Sequence, residues 1–219
     1  GNGMAAMPTC SHDIWRLNRN QRKTPAEIKV ALTMFFTLPP TPIIYYGEEI
    51  GMRNIENAPV KEGSYSSRNR SSCRTPMQWD GTENAGFSTA PDGRLYLPID
   101  PDPARPTVAK QVGDNNSILN YVRGLIKLRK DIPALGYEGD WIYTGSTENP
   151  YPMMYERSLG NARYAVIINP SKNAVETTIK NTTKKPVVVY GTTKSVRSQK
   201  VKGGMKLSIN PFTAVIVRI

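Results

Sequence analysis

"TPAEIKVALTMFFTLPPTPIIYYGEE", residues 24–49, is the stretch that decides how this chain folds. Thr24, Pro25 and Glu27 together mark a helix start. The hydroxyl caps a free N–H, the proline ring presets the first turn, and the carboxylate reaches back to the cap. Ile28, Ala31, Leu32 and Phe35 then recur on one helical face. Pro39 and Pro40 stop the helix. Residues 42–47, "PIIYYG", follow as a short continuous β run. Upstream, residues 3–10 are small and apolar and read as a buried strand. Strand, helix, strand is a βαβ unit, whose strands run parallel through a right-handed crossover.

That topology locates a site. In parallel sheets, ligands bind beyond the carboxyl ends of the strands. Ser11-His12-Asp13 follow the first strand and Gly47-Glu48-Glu49 follow the second, so both clusters belong to one sheet edge. His12 is the only histidine in the chain. On residue chemistry alone, His12-Asp13 is either a structural pair at a strand end or the rim of an active site. Glu48 and Glu49 read as structural, holding loops or capping a turn.

Residues 51–114 are polar and rich in Gly, Pro, Ser and Asn. A structureless loop of that length is improbable in a compact domain, so short turns or a small subdomain are expected over the site. Residues 115–130 read as a second amphipathic helix, with Ile118, Val122, Leu125 and Ile126 as its buried stripe. From about residue 133, seven short β-prone runs alternate with turns. They read as an antiparallel sandwich. The expected fold is thus α/β plus all-β: an α/β part over residues 1–132 and a β-sandwich over 133–219.

Composition excludes several classes. The net charge is +11, and +9 of it falls after residue 110. There the lysines are dispersed among Thr, Val and Gly, with no aromatic interleaving and no Arg-rich helix. They read as solvated strand faces rather than a nucleic-acid surface. No apolar run approaches the ~18 residues of a membrane span. Cys10 and Cys73 have no Cys/His cluster around them and make no zinc site; they read as free thiols. The start "GNGMAAMP" has neither the charged beginning nor the apolar core of a signal peptide. The sequons at Asn69 and Asn181 matter only in a secretory compartment, so localisation stays open.

Three segments resemble the α-amylase superfamily of glycoside hydrolases, family 13, on the branch of oligo-1,6-glucosidases, α-glucosidases and trehalose-processing enzymes. "SHDIWR", residues 11–16, resembles that family's Asn-His-Asp motif and its following Arg. "FFTLPPTPIIYYGEEIGM", residues 35–52, resembles the approach to barrel strand eight. "SRNRSSCRTPMQWDGTENAGFS", residues 67–88, contains the Arg-Thr-Pro-Met-Gln-Trp and Asn-Ala-Gly-Phe runs of the oligosaccharide-cleaving branch. The resemblance covers essentially the whole chain. It implies the last two βα units of a (β/α)8 barrel followed by a C-terminal antiparallel β-sandwich.

The resemblance also implies roles. Asp13 is the third carboxylate, a transition-state stabiliser that accepts bonds from two sugar hydroxyls and faces growing oxocarbenium charge. His12 donates to the same hydroxyls. Arg16 lines the site beside the leaving group. Arg74 recognises the terminal glucose hydroxyl and favours cleavage from a chain end. The sequence departs from the pattern at Ser11, where Asn is usual, and at Trp15, where proline is common. The family's nucleophile and acid/base lie upstream of the region present here. The expectation is a C-terminal portion of a retaining, exo-acting enzyme of α-linked oligosaccharides, inactive alone, that self-associates or pairs with its missing barrel half. No cofactor and no metal are expected. A noncatalytic sugar-binding module, an α-glucosyl transferase or isomerase of the sucrose or trehalose type, and an anion-binding domain stand as alternatives.

Overall fold

In the computed structural model the capping box forms as the sequence predicts. Glu27 Oε2 accepts from the Thr24 N–H at 3.0 Å, and Thr24 Oγ1 accepts from the Glu27 N–H at 3.3 Å. They open α1, Pro25–Thr37. The structure describes residues 3–19, 24–61, 70–91, 94–182 and 184–219; Asn69 and Thr183 of the two sequons lie outside these.

The flanking strands are shorter than the apolar runs suggest: β1 is Ala6–Pro8 and β2 is Thr41–Ile43. Prolines at 8, 39, 40 and 42 remove backbone donors on both sides of the pairing. Thr41 N–H donates to Ala5 O, and Thr9 N–H to Ile43 O, each at 2.9 Å. The register rises together along both segments, as in a parallel pair. The remainder of the "PIIYYG" run turns away into a single 3-10 turn, Glu48–Ile50. Left-handed glycines bracket that turn: Gly47 at φ 83° and Gly51 at φ 72°.

Two units make up the chain. The first combines residues 1–6, 29–41 and 124–219. It holds a five-stranded sheet in the order β3-β4-β5-β10-β7 and a three-stranded sheet in the order β6-β9-β8. The strands are β3 Asp140–Tyr143, β4 Met153–Leu159, β5 Ala162–Asn169, β6 Val175–Lys180, β7 Val187–Gly191, β8 Arg197–Val201, β9 Gly204–Ile209 and β10 Thr213–Arg218. Every ladder in these two sheets is antiparallel. Met154, Ile167 and Val215 of the larger sheet share a core with Ile179, Leu207 and Ile209 of the smaller. Along β9 the period-2 rule is plain: Met205, Leu207 and Ile209 are buried, while Lys206 and Ser208 lie on the other face. Strand β8, "RSQKV", is one element that the apolar runs did not reveal, because its residues are mostly polar.

The C-terminus of α1 carries no basic residue of its own in the last turn. Two arginines from elsewhere in the unit satisfy its free carbonyls. Arg129 donates to the carbonyls of Phe36, Leu38, Pro39 and Pro40 at 2.7–3.0 Å. Arg157, on β4 and wholly buried, donates to Thr37, Leu135, Gly136, Gly139 and Asp140 carbonyls. Burial lowers the Arg157 pKa to about 10, with the Arg129 charge adding to the effect.

The second unit holds residues 7–28 and 42–123. Among the described residues of its long segment, polar ties hold the backbone. Arg53 bridges Asp100 at 2.7 Å and Asp102 at 2.8 Å. The Gln78 side chain donates to Pro106 O at 2.5 Å, while Gln78 O and Trp79 O accept from Val108 and Ala109 N–H. These bonds seat a short helix, α2, Val108–Val112. Ile50, Met52, Met77 and Leu119 form the apolar centre. Helix α3, Ile118–Asp131, corrects one expected core residue. Ile126 is 37% exposed, and Leu119 and Tyr121 are buried instead. Ile126 shares a face with Leu119, seven residues and about 20° away, so its position along the helix and not its face leaves it exposed.

Candidate active site

A tight turn presents the acidic residue. Ser11 and Ile14 form an isolated antiparallel bridge, and Asp13 N–H donates to Ser11 Oγ at 3.1 Å. His12 and Asp13 are therefore the tip of a closed hairpin-like turn just beyond β1. Asp13 Oδ1 accepts from Arg74 Nη2 and forms an ion pair with Arg70 Nη1, each at 3.1 Å. His12 Nε2 lies 3.3 Å from Asp13 Oδ2. Arg74 also donates through Nε to His12 O at 2.9 Å, gripping the turn twice. The Asp13 side chain keeps 44% exposure and His12 67%. A carboxylate held by two guanidinium groups and still half open retains lone pairs for hydroxyl donors.

Beneath the turn lies a buried polar floor. Arg16 has no side-chain exposure and sits 3.7 Å from Glu48 Oε1. Its guanidinium donates to Tyr46 O at 2.5 Å and Cys73 O at 3.0 Å, and lies over the Tyr45 and Tyr46 rings. Glu48 also accepts from Leu17 N–H at 3.2 Å and the Cys10 thiol at 3.4 Å. Burial raises the Glu48 pKa, with Arg16 opposing. Gly47 is required here: at φ 83°, a Cβ would stand 2.3 Å from Met52 Sδ and 3.1 Å from Arg16 Nη1. The Cys73 thiol points at the carbonyls of Arg70, Ser11 and His12, 3.2–3.6 Å away. Both cysteines are free and buried, and burial raises both thiol pKa values, so they stay protonated and unreactive.

Of the four residues the resemblance singles out, the structure brings His12, Asp13 and Arg74 together. Arg16 departs from that set. It ties three loops from within instead of lining an open surface. Arg70 joins the Asp13 cluster without having been singled out, since no spacing rule marks an arginine that reaches the site from a turn 57 residues downstream. Glu48 is structural, as read.

Beside Arg74 opens a cavity of about 400 Å³, walled by Trp79, Phe87, Tyr96 and Leu97, with Glu49 in its lining. Glu49 Oε2 is buried with no hydrogen-bond partner among the described residues. Burial raises its pKa. Among the described residues no group of His, Cys, Asp and Glu is arranged to hold a metal ion, and no helix is long and apolar enough to cross a membrane.

A fixed, half-exposed carboxylate among cations thus stands at the carboxyl end of paired parallel strands, the arrangement of an α/β protein. The profile of the α-amylase catalytic domain matches residues 1–138. The chain belongs to this family, glycoside hydrolase family 13, on the branch similar to oligo-1,6-glucosidases. It is 32% identical over 170 residues to an oligo-1,6-glucosidase of Parageobacillus thermoglucosidasius, covering 66% of this chain and 29% of that protein. It is 35% identical over 137 residues to the trehalose synthase/amylase TreS of Mycobacterium tuberculosis, covering 61% of this chain and 21% of that one. Among solved structures, an isomaltulose synthase variant from Erwinia rhapontici NX5, in complex with its natural substrate sucrose, superposes with a TM-score of 0.75 at 28% identity. The superposition takes in 99% of this chain and 43% of that structure. The chain thus spans less than half the length of these relatives.

Proposed function

We propose that this chain is the C-terminal part of an α-glucoside-cleaving glycoside hydrolase, retaining and exo-acting on α-linked oligosaccharides. The observation that carries the reading is Asp13: a half-exposed carboxylate held by Arg70 and Arg74 beyond β1 in a family 13 chain. Asp13 accepts two neighbouring hydroxyls of the sugar being cleaved and faces the positive charge that develops on its ring. His12 donates to the same hydroxyls. Arg74 fixes Asp13 and meets the terminal sugar at the chain end. Arg16 acts from behind as a positioning residue, joining the turn of Asp13 to the segments of Tyr46 and Cys73.

A retaining glycosidase needs a nucleophile and a general acid on either side of the bond. Glu48 is committed to Arg16, Leu17 and Cys10, and Glu49 stands in an apolar cavity wall. In this reading both missing carboxyls come from upstream barrel strands. Residues 1–132 are then the last two βα units of a (β/α)8 barrel, and 133–219 a C-terminal β-sandwich. The likeness to a sucrose-binding isomaltulose synthase and to a trehalose synthase supports a second reading, transfer of the glucosyl group to another sugar instead of water.

The test is turnover of an aryl α-glucoside by this chain alone and by a polypeptide that supplies the upstream strands, each beside a His12→Ala/Asp13→Ala control. The expected result is no turnover from this chain and turnover from the longer polypeptide, lost in the control. Turnover by the chain alone that the control abolishes would mean that a complete site resides here. Saccharide binding without turnover in either would assign a sugar-binding module.

A further inference from the structure

The two antiparallel sheets end in β3, β7, β6 and β8, and all of these edges but β3 are guarded. β6 carries Glu176 and Lys180, and β8 carries Arg197 and Lys200. β7 follows Lys184-Lys185-Pro186, and its register against β10 shifts at Ile216/Val217. Charges, proline and bulges are devices that stop an edge from pairing with another chain. β3 is Asp140-Trp141-Ile142-Tyr143. Its apolar residues are 40%, 56% and 40% exposed in that order, and its register against β4 runs without a bulge. The register also fixes which backbone groups are free. Thr144 N–H donates to Met154 O at 3.0 Å, so Thr144 belongs to a hydrogen-bonded pair with the segment of β4. Antiparallel ladders alternate, so Asp140 and Ile142 also bond toward β4, while Trp141 and Tyr143 present their N–H and C=O outward. Among the described residues no backbone bond from outside the ladder reaches those groups. Side chains alternate too. Trp141 and Tyr143 share one face, with ring centres 6.4 Å apart, and Ile142 stands on the other beside Glu156. Arg163 neutralises Glu156 at 2.6 Å.

We propose that β3 is a docking edge for a second copy of this chain, paired antiparallel about a twofold axis through Ile142. Centred there, Trp141 of each copy meets Tyr143 of the other in a hydrogen-bonded pair, and every outward group of both strands is used. A register shifted by one residue would set those groups against groups already bonded to β4. A shift of two would pair Tyr143 with Gly139, or Trp141 with Gly145, both beyond the strand. The side chains agree with this register. Trp141 and Tyr143 of the two copies form one aromatic cluster, and the two Ile142 side chains meet at the closer, non-hydrogen-bonded position. Asp140 lies opposite Thr144, so the two Asp140 carboxylates stand at opposite ends of the pairing. A second copy is favoured over an unrelated strand because the one strand supplies both halves of the match. A twofold contact closes on itself, so association through β3 ends at a dimer.

The test is sedimentation of this chain up to ~1 mM. The expected result is a reversible dimer with a Kd of the order of 100 µM, as suits a contact well below the standard interface size. Ile142→Lys, at an exposed position, sets two ammonium groups against each other on the axis and weakens the dimer about tenfold or more. Ile142→Val leaves Kd within about twofold. The register is read by cross-linking with oxidised glutathione. Non-hydrogen-bonded partners stand ~4.5 Å apart at Cα, within disulfide reach, so Ile142→Cys gives a covalent dimer. Thr144→Cys, on the same face but opposite Asp140, gives none. Cys10 and Cys73 are buried and take no part. Association that Ile142→Lys leaves unchanged, with no cross-link from Ile142→Cys, assigns the contact to β1 and β2 and overturns the proposal. A monomer up to ~1 mM overturns it as well. Cross-linking of Thr144→Cys and not of Ile142→Cys overturns the twofold through Ile142.

Discussion

Glu49 and Arg157 show how single buried groups set the stability of this chain. Burial raises the Glu49 carboxyl above its ordinary 4.5. The native state therefore holds a proton that the unfolded chain has released, and stability falls as pH rises from 4.5 through the raised value. Glu48 acts in the same sense. Glu49→Gln removes its share of the slope, so the variant gains on the parent as pH rises above 4.5, read from urea midpoints across a pH series. A parallel pair of curves would show that Glu49 titrates normally. Arg157 works differently: five backbone carbonyls depend on one guanidinium. Arg157→Met orphans all of them and is expected to cost about 3 kcal/mol or more, measured by equilibrium denaturation. A loss below about 1 kcal/mol would mean that water takes over those carbonyls. Neither effect is visible in the sequence, where Arg157 and Glu49 are ordinary charged letters.

At the scale of elements, local chemistry was legible where it acts between near neighbours. The Thr24-Glu27 box, the proline stop of α1 and the alternation along β9 all follow from contacts within a few residues. The strand ends were not, because β1 and β2 stop where proline removes partners on the opposite segment. Strand β8 was missed since an edge strand needs little apolar surface of its own to join a ladder. The turn at Gly47 is the element on which the site geometry depends most. Gly47→Ala must hold φ 83° and displace Met52 Sδ from 2.3 Å, and it is expected to destabilise the second unit by more than about 1 kcal/mol. The check is thermal unfolding alongside the His12 ring signal, which should move as Arg16 and the Asp13 turn shift. An unchanged midpoint and signal would show that the 47–52 segment adapts freely.

Across the whole molecule, β1 and β2 form a sheet of two strands, with no further neighbour for either among the described residues. Such a pair is marginal by itself, and its outer edges offer unpaired N–H and C=O groups. The chain alone is therefore expected to self-associate in a concentration-dependent way, followed by sizing chromatography with light scattering. A monomer at every concentration would show the edges to be protected. Read by itself, the sequence determined the βαβ order, the change to short strands after residue 133 and the family motifs. Each of these is written in local periodicity, capping and spacing, which a linear reading captures. The tertiary structure alone decided which charges meet. It put Arg70 and Arg74 on Asp13, withdrew Arg16 into the floor with Glu48, and laid Arg19 over Trp15. Arg70 and Arg74 stand about 60 positions from Asp13, and electrostatics acts over a few ångströms of space whatever the separation along the chain.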